Sequence, residues 1–433
     1  MSEGVTRGMT EQSGMVVVLG AGYGGLHVTQ RLASLLPERT DVAEAGGWRY
    51  PIVLVDRRPY HQLTTELPRL VEGQRADAAL DLDLRRLIDA ERVQFVQAEV
   101  AGIARERRAV RTTAGELGYR FLVIALGSVL NDFGVAGVRE HMRPFLTTED
   151  AHDLRITAAL AVEDAARRYL ERGDDDLAAL QRSLTVLIGG AGPTGVEVAG
   201  ALAEYLDDRW EAARRVAGQP REYRLPRPRV ILVEAGPRIL PGWSAPNAAA
   251  ALTALRELRV EVRTGARIAR VEPGRVTFSD GASVEAGILV WAGGVRAPRL
   301  LADAGLPTGS GGRVVVDAFG RVPGQPQIYV VGDAALHLDA QSGRPLAPTA
   351  DLALREGETA ALAIQATLRG HDPARVLRPL VRQALSVGRE RGVANLLGLP
   401  VRGRAAHTLK DLIEWEYRQS ITRLHGYSLA TIV

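Results

Sequence analysis

Short, continuous runs of apolar residues recur along the chain, and each run ends in glycines or polar residues. Residues 15–19 and 184–188 are two such runs, and unbroken apolar character is typical of strands buried on both faces of a parallel sheet. The residues after each run have apolar positions at helical spacing; in the first half these are Leu26, Val28, Leu32 and Leu35. The pattern predicts two β–α units, one opening each half of the chain.

The same succession of elements then follows in both halves. Each unit leads to a strand ending in an acid, to alternating positions typical of a β-meander, and to an apolar strand that runs into small residues. A long helical region is predicted over 149–182, and Pro348 and Thr349 open a helix that reaches Leu368. The sequence therefore predicts an α/β fold with two Rossmann-like domains and a C-terminal helical and β extension.

A glycine-rich turn joins the strand to the helix in each β–α unit. The turns are Gly20-Ala21-Gly22-Tyr23-Gly24-Gly25 and Gly190-Ala191-Gly192-Pro193-Thr194-Gly195, and both fit G-x-G-x-x-G. Such a turn brings the backbone close to the pyrophosphate of a dinucleotide at a helix N-terminus. Two ordinary glycine-rich turns remain the alternative. Two dinucleotide sites in one chain indicate electron transfer between two dinucleotides.

An acid ends the second strand of each half, and in Rossmann units this acid binds the adenosine ribose. The two acids are Asp56 and Glu234. Both follow their glycine turns by more than the usual distance of about 20 residues. We attribute the extra length to inserts at 38–50 and 207–229.

Composition removes several classes of function. The chain has 433 residues and no cysteine, which excludes a redox-active disulfide, an iron–sulfur cluster and a cysteinyl flavin. The eight histidines show no metal-binding spacing, so no metal site is predicted. A net charge of +3 indicates no nucleic-acid partner. No stretch reaches the roughly 18 apolar residues of a membrane span. Lys410 is the only lysine among 54 basic residues, and we ascribe this preference for arginine to genome composition or stability and not to function.

These motifs together resemble the flavoprotein pyridine-nucleotide oxidoreductases, and more narrowly the type II NADH:quinone oxidoreductases. The resemblance rests on the two glycine turns, on 60–65, on 126–128, on 291–295, on 331–334 and on the C-terminal 409–433. It implies non-covalent FAD in the first Rossmann unit, NADH in the second, and transfer of electrons from NADH through the flavin to a quinone without proton pumping. It also implies a homodimer at the cytoplasmic face of the cell membrane.

The resemblance divides the chain into five parts and assigns residues to the two nucleotides. The parts are a disordered tail at 1–14, FAD-binding parts at 15–148 and 301–370, an NADH-binding domain at 149–300, and a membrane-associating or dimerisation segment at 371–433. The residues implied for FAD are Gly20, Gly22, Tyr23, Gly24, Gly25, Asp56, Arg57, Thr64, Thr65, Gly127, Gly332, Asp333 and Ala350. Those implied for NADH are Gly190, Gly192, Pro193, Thr194, Gly195, Glu234, Gly293 and Gly294.

Some of these residues have simpler readings. Thr64 and Thr65 also suit a turn, and Asp333 also suits a strand end. Glu197, which the resemblance places beside the nicotinamide and flavin as a proton relay, also suits the start of a helix. Glu234 favours NADH because its carboxylate would repel the 2′-phosphate of NADPH, although Arg238 nearby could soften that preference.

The chain departs from the family where a quinone would bind. Asp351 and Arg355 stand at positions where the family has two glutamines associated with the quinone. A buried carboxylate is costly unless it is paired, and Arg355 lies one helical turn away, so we expect an ion pair. The departure keeps two alternatives open: a soluble acceptor such as oxygen or a small redox protein, and a nucleotide-bound redox sensor.

The C-terminal segment is predicted to be an amphipathic helix. Its apolar positions are Leu409, Leu412, Ile413, Tyr417, Ile421 and Leu424. Its polar positions, mostly on the other face, are Lys410, Asp411, Glu414, Arg418, Gln419 and Arg423. Such a helix can lie in a membrane interface, or it can pack against its own domain or a second copy of the chain.

Overall fold

A computed structural model describes residues 14–36, 50–73, 79–172, 176–216, 224–339, 343–373, 382–396 and 398–422. The tail expected at 1–14 and the insert expected at 38–50 lie almost wholly outside the described residues, as do Arg423 and Leu424. Among the described residues, no helix has both the length and the apolar character needed to cross a bilayer.

Helices and strands alternate along most of the described chain. In chain order the helices are α1 (Tyr23–Leu35), α2 (Leu67–Val71), α3 (Val138–His141), α4 (Thr148–Arg172), α5 (Leu177–Ser183), α6 (Pro193–Val216), α7 (Ala245–Glu257), α8 (Leu300–Asp303), α9 (Ala350–Leu368) and α10 (Arg404–Thr422). The strands are β1 (Gly14–Leu19), β2 (Tyr50–Asp56), β3 (Tyr60–Gln62), β4 (Asp81–Asp83), β5 (Val93–Gln97), β6 (Val100–Ala104), β7 (Ala109–Thr112), β8 (Gly115–Ile124), β9 (Val129–Leu130), β10 (Arg143–Pro144), β11 (Thr185–Gly189), β12 (Arg229–Val233), β13 (Glu261–Arg263), β14 (Ile268–Glu272), β15 (Arg275–Phe278), β16 (Ser283–Glu285), β17 (Ile288–Trp291), β18 (Val295–Arg296), β19 (Val314–Val315), β20 (Arg321–Val322), β21 (Gln325–Val330), β22 (Ala335–Leu336), β23 (Arg382–Val387), β24 (Arg391–Leu396) and β25 (Leu399–Arg402).

The first β–α unit belongs to a sheet with the order β20-β21-β8-β1-β2-β5, in which the strands from β21 to β5 pair in parallel. Strand β1 lies in the middle, and its residues from Val16 to Leu19 have no exposed surface. This burial on both faces explains their continuous apolar character. The meander β6-β7-β8 joins the sheet by antiparallel pairing.

The second β–α unit belongs to a parallel sheet with the order β10-β17-β11-β12-β13. Strand β11 occupies the place that β1 has in the first sheet, between the acid-ended strand β12 and the strand β17 that closes the half. The glycine turn therefore sits at the carboxyl end of a central strand in both sheets, where open α/β sheets bind their ligands. The predicted α/β fold with Rossmann-type sheets is confirmed.

Helices α1 and α9 cross closely because both carry glycine where they touch. A Cβ atom on Gly24 would lie 3.1 Å from the carbonyl oxygen of Ala353, and one on Gly357 would lie 2.9 Å from the carbonyl oxygen of Gly24. Helix α9 begins as predicted, since the Thr349 side chain accepts a hydrogen bond from the Leu352 N–H at 3.1 Å. The crossing places the N-terminus of α9 beside the first glycine turn.

Two helix boundaries differ from the sequence predictions, and the predicted C-terminal helical and β extension is seen in detail. The helical region 149–182 consists of two helices, α4 and α5, with 173–175 outside the described residues. The hydrophobic pattern predicts a helix over 252–258, but α7 starts at Ala245, because the Ser244 side chain caps it by accepting from the Asn247 N–H. The C-terminal segment contains a three-stranded antiparallel sheet, β23-β24-β25, before its helix α10.

The prediction about the faces of α10 is wrong. Tyr417 and Ile421 are buried, but so are Lys410 and Glu414, whereas Leu412 is 55% exposed and Trp415 57% exposed. The side of the helix that packs on the protein is therefore mixed, with Lys410 and Glu414 beside Tyr417 and Ile421. These charged residues of α10 are buried because oppositely charged residues of the two halves pair with them.

Candidate functional site

A single cavity of about 2200 Å³ lies between the two glycine turns. It exceeds the roughly 300–1,000 Å³ that a single drug-sized ligand needs. The predicted residues that line it are Gly20, Gly22, Tyr23, Gly24, Asp56, Arg57, Thr64, Thr65, Gly127, Gly190, Gly192, Pro193, Thr194, Glu197, Glu234, Gly293, Gly294, Gly332, Asp333, Ala350, Asp351 and Arg355. Gly25 and Gly195 lie behind this lining. The fold thus brings together residues that are hundreds of positions apart in sequence.

In the first glycine turn the outer glycines are required by the chain itself. A Cβ atom on Gly20 would lie 2.3 Å from the carbonyl oxygen of Ala125, and one on Gly25 would lie 1.9 Å from the carbonyl oxygen of Gly20. Gly22 differs, because a Cβ atom there would meet no atom within 4 Å. The open face of Gly22 borders the cavity. It leaves the room that a pyrophosphate at a helix N-terminus needs.

The second glycine turn repeats this geometry. A Cβ atom on Gly190 would lie 2.4 Å from the Cα of Gly293, and one on Gly195 would lie 1.9 Å from the carbonyl oxygen of Gly190. The middle glycine, Gly192, again has no atom within 4 Å of a Cβ position. Both turns therefore provide a cradle that a methyl group would fill.

The acids at the strand ends hold their glycine turns in the same way. Asp56 Oδ2 accepts from the Ala21 N–H at 2.7 Å, and Asp56 Oδ1 accepts from the Arg58 N–H at 2.8 Å. Glu234 Oε2 accepts from the Ala191 N–H at 3.0 Å, and Glu234 Oε1 accepts from the Gly236 N–H at 2.7 Å. Each carboxylate lies at the cavity wall next to its turn.

The Gly332–Asp333 turn closes the first half of the cavity. Asp333 Oδ2 accepts from the Ser128 hydroxyl at 2.8 Å. The Gly332 N–H donates to Glu356 Oε2 at 2.5 Å, and burial raises the pKa of this carboxyl well above its usual range. Glu356 also lies 3.3 Å from His337 Nε2. This buried pair beneath the turn was not predicted from the sequence.

Asp351 and Arg355 form the expected ion pair on the first turns of α9. Arg355 Nε donates to Asp351 Oδ2 at 2.8 Å, and a second guanidinium nitrogen donates to Asp351 Oδ1 at 3.3 Å. Both side chains are half-buried at the cavity wall. The carboxylate at this helix N-terminus is therefore accompanied by a cation one turn away.

Glu197 lies at the beginning of the second turn of α6, and it is buried in contact with the only lysine of the chain. It accepts from the Ser386 N–H at 3.0 Å and from the Lys410 ammonium. Burial opposes the charge of Lys410, but Glu197 and Glu414 hold the pKa of this amine above its ordinary value. Lys410 therefore stays protonated, and it meets Glu197 at the cavity wall.

Helix α10 continues this network away from Glu197. Glu414 lies 3.5 Å from Lys410 and 2.8 Å from Arg69, and burial raises the pKa of Glu414 to about 7. One turn further on, Arg418 donates to both carboxylate oxygens of the buried Glu66, at 2.7 and 2.8 Å. Residues 410, 414 and 418 thus form a row of alternating charge, in which Lys410 and Glu414 are buried and Arg418 is partly buried.

Sequence reasoning missed this row, along with His61 and Tyr417. A signal was present, since Lys410, Glu414 and Arg418 follow each other at helical spacing and a lone lysine stands among 54 basic residues. Their partners Glu197, Arg69 and Glu66 are distant in sequence, so the pattern alone could not show that these charges are buried.

The structure also bears on Arg238. Its guanidinium donates to the Trp243 carbonyl at 2.9 Å. It is therefore engaged by its own loop and does not pair with Glu234 in the described contacts.

A scan of family models matches residues 14–357 to "Pyridine nucleotide-disulphide oxidoreductase". Among characterised proteins, the chain is 29% identical over 425 residues to a type II NADH:quinone oxidoreductase of Staphylococcus aureus, covering 98% of each chain. Among solved structures, it is similar to NDH2 from Plasmodium falciparum in complex with NADH, with a TM-score of 0.77, 17% identity, and coverage of 95% of this chain and 97% of that one. It is also similar to the sulfide:quinone oxidoreductase of Aquifex aeolicus, with a TM-score of 0.71, 18% identity, and coverage of 95% and 92%.

Proposed function

Because the chain belongs to the pyridine nucleotide-disulphide oxidoreductase family, we propose that it is an FAD-dependent NADH dehydrogenase that reduces a membrane quinone. The carrying observation is the pair of matching glycine cradles that open into one cavity. The absence of cysteine excludes the disulfide chemistry of the family name. The relative in Staphylococcus aureus, a type II NADH:quinone oxidoreductase, supports a quinone as the acceptor.

The first cradle fits FAD. Gly22 leaves room for the pyrophosphate at the N-terminus of α1, and Asp56 and Asp333 line the same cavity, where they can meet the ribose and the ribityl and phosphate groups of FAD. Arg57, Gly127, Ala350 and the pair Thr64 and Thr65 complete the FAD contacts in this proposal. Bound FAD would supply the redox chemistry, which is acceptance of a hydride from NADH and transfer of two electrons to the acceptor.

The second cradle fits NADH. Gly192, Pro193 and Thr194 would meet the pyrophosphate, and Gly293 and Gly294 border the cavity opposite them. Glu234 would bind the ribose hydroxyls and repel a 2′-phosphate. The engagement of Arg238 by the Trp243 carbonyl removes the obvious cation for NADPH. We therefore propose a preference for NADH.

The protein contributes position, field and proton control. The N-terminus of α9, with Ala350 at its first position, carries a partial positive charge that stabilises negative charge developing beside it. The paired side chains of Glu197 and Lys410 lie at the cavity wall and can hold a proton for the acceptor on its reduction. These are the proposed roles of the chain in the reaction.

The pair of Asp351 and Arg355 supports a second candidate acceptor. The two charges replace the glutamines that the resemblance associates with quinone binding, and they present a polar wall. A polar wall suits the polar surface of a small redox protein better than the apolar ring of a quinone. A soluble acceptor, such a protein or oxygen, is therefore the second candidate.

A peripheral position on the cytoplasmic face of the membrane completes the proposal. Leu412 and Trp415 project from the outer face of α10, and Leu399 is 70% exposed on the neighbouring strand β25. An exposed apolar group on a helix and hairpin is suited to the lipid interface. The homodimer stays a prediction.

The test is an anaerobic stopped-flow experiment on the purified protein. Flavin absorbance is followed on addition of NADH or NADPH, and then on addition of phospholipid vesicles that contain a menaquinone analogue. We expect bound FAD, fast bleaching by NADH and slow bleaching by NADPH. We also expect fast reoxidation by the vesicles and sedimentation of the protein with them.

The other outcomes separate the candidates. Protein without FAD, or flavin that NADH does not bleach, would overturn the assignment. Bleaching without reoxidation by quinone would favour a soluble acceptor, and the variant Asp351→Gln/Arg355→Gln would then show whether the ion pair is the cause. Tight nucleotide binding with negligible turnover for every acceptor would indicate a redox sensor.

A further inference from the structure

We propose that Tyr417 on the C-terminal helix is a positioning residue for FAD, acting through His61 on the peptide between Ala21 and Gly22. The proposal rests on FAD binding at the first glycine turn, as proposed above. It makes α10 a part of the flavin site although the helix comes nearly four hundred residues after the turn. It predicts that the second glycine turn does not depend on α10.

The residue Ala21 is held on both sides of its backbone. Its N–H donates to Asp56 Oδ2 at 2.7 Å, and its carbonyl oxygen lies 2.8 Å from His61 Nδ1. On the other side of the imidazole, His61 Nε2 lies 2.8 Å from the Tyr417 hydroxyl. His61 has no exposed surface, and Tyr417 is 8% exposed.

The direction of these hydrogen bonds follows from the carbonyl group. A carbonyl oxygen can only accept, so His61 Nδ1 carries the proton and donates to Ala21. In the neutral ring Nε2 is then an acceptor, and the Tyr417 hydroxyl donates to it. Burial lowers the pKa of His61 to about 4, which agrees with a neutral ring. Tyr417 therefore selects the tautomer that binds Ala21.

This matters for a pyrophosphate because of the planar peptide. The described residues contain no cis peptide bond, so the Ala21 carbonyl and the Gly22 N–H point in opposite directions from one rigid plane. Fixing the carbonyl fixes the N–H as well. Gly22 is the residue that precedes α1, and its N–H is among the backbone donors that a helix N-terminus offers to an anion.

Tyr417 also contacts the other side of Gly22. Its ring stacks on the ring of Tyr23, with the centroids 4.6 Å apart and an angle of 27° between the planes. The Tyr23 hydroxyl lies 2.9 Å from the Thr65 hydroxyl. Gly22 is thus flanked by two residues that Tyr417 reaches, one through His61 and one by stacking.

The second glycine turn provides a comparison within the same chain. Ala191 corresponds to Ala21, and its N–H likewise donates to the strand-end acid, Glu234. Its carbonyl oxygen, however, accepts from the backbone N–H of Leu240 at 2.8 Å, a residue of the same half. Of the two turns, only the first is connected to the C-terminal helix through side-chain hydrogen bonds at this carbonyl.

The experiment compares four full-length proteins: the unchanged chain, Tyr417→Phe, His61→Leu and the double variant. Flavin is removed and FAD binding is titrated by fluorescence, and NADH binding is measured on the same samples. The control is Tyr169→Phe, which removes a hydroxyl that accepts from the Arg224 N–H in the other half of the molecule. The ³¹P spectrum of bound FAD reports the surroundings of the pyrophosphate directly.

We expect Tyr417→Phe to weaken FAD binding about 3- to 10-fold, the range for loss of one neutral hydrogen bond. His61→Leu should weaken it further, and adding Tyr417→Phe to it should change nothing more, since both act through one path. The ³¹P resonances should shift in Tyr417→Phe and not in Tyr169→Phe. NADH binding should be the same in all variants.

The proposal is overturned if Tyr417→Phe binds FAD as Tyr169→Phe does, if the two substitutions add independently, or if NADH binding falls equally. Should His61→Leu fail to fold, His61→Asn keeps a donor near Ala21, and Tyr417→Phe should then have no effect in that background. If the unchanged chain binds no FAD, the proposed function fails first. If it binds FAD normally and the variants match it, only this inference fails.

Discussion

Individual glycines in the two turns do different work. The outer glycines Gly20 and Gly25 are needed because a side chain at either position would clash with the backbone. A Cβ atom on Gly25, for example, would lie 1.9 Å from the carbonyl oxygen of Gly20. The middle glycines Gly22 and Gly192 have empty space where a side chain would be. At these two positions glycine is therefore needed only to leave space for a ligand. This difference between the outer and the middle glycines can be tested by substitution.

We expect Gly22→Ala to fold normally and to bind FAD weakly. The φ of Gly22 is −70°, which alanine adopts without strain, and no atom lies within 4 Å of the new methyl group. The matched variant Gly192→Ala should keep FAD and raise the KM for NADH. Thermal unfolding of the flavin-free protein, FAD content and NADH kinetics are the measurements. Loss of both nucleotides in either variant would contradict separate cradles.

The contribution of His61 to the stability of the protein should be lost as the pH is lowered from about 6.5 to 4. The buried Glu414 and Glu356, whose pKa values are raised, act in the opposite direction, so the contribution of His61 is measured as a difference between variants. Burial lowers the pKa of His61 from 6.5 to about 4, so the unfolded chain binds a proton over this interval and the folded chain does not. The contribution is complete above pH 6.5 and is on the order of 3 kcal/mol. His337, whose pKa is also lowered by burial to about 4, acts in the same direction.

Urea unfolding at several pH values measures this dependence. The variant His61→Asn removes one titrating group, so the unfolding free energy of the unchanged protein minus that of the variant should fall as the pH is lowered from 6.5 to 4. An equal slope in both proteins would mean that His61 is not held neutral in the fold.

At the level of elements, α10 binds the rest of the protein mainly through charge. Lys410, Glu414 and Arg418 each meet an opposite charge from another element, and Tyr417 and Ile421 add the apolar contacts. A buried ion pair adds little to the free energy of unfolding compared with an apolar contact of the same size. Removal of one partner lowers this free energy strongly, because the other charge stays buried without a partner.

We therefore expect Lys410→Met to destabilise the protein by about 3–5 kcal/mol. The substitution leaves Glu197 without its cation, and Glu414 keeps only Arg69. Arg404→Met is the matched control on the same helix, since Arg404 pairs with Glu390 of the turn between β23 and β24, and both side chains are mostly exposed; little change is expected there. Calorimetric unfolding compares the two. Similar losses would mean that the depth of the pair is irrelevant.

The order of elements could be predicted because hydrophobic patterns and glycine turns are local. The cap at Thr349 and the bounds of α9 are examples. The orientation of α10 could not be predicted, because a charged residue on a helix is expected at the surface. Only the fold shows that Glu197, Glu66 and Arg69 lie where they can pair with the charges of α10. The relay through His61 is equally non-local, since its ends are Ala21 and Tyr417.

On the scale of the whole molecule, two similar halves face one another across a shared cavity. The sequence repeats the strand, glycine turn and acid in each half, and the structure repeats their hydrogen bonds down to the contact between acid and turn. The shared cavity itself has no local signature. It arises because α9, β23 and α10, which belong to neither repeat, close the space between them.

The solitary lysine has a practical consequence for chemistry done on this protein. Lys410 holds the one side-chain amine of the chain, and in the fold it is buried, protonated and paired with Glu197. Amine-directed reagents, which need a free base and access, should therefore leave every side chain untouched while α10 is docked. The rate of acylation at Lys410, measured by mass spectrometry without any engineered label, would therefore report how often this single helix detaches from the protein.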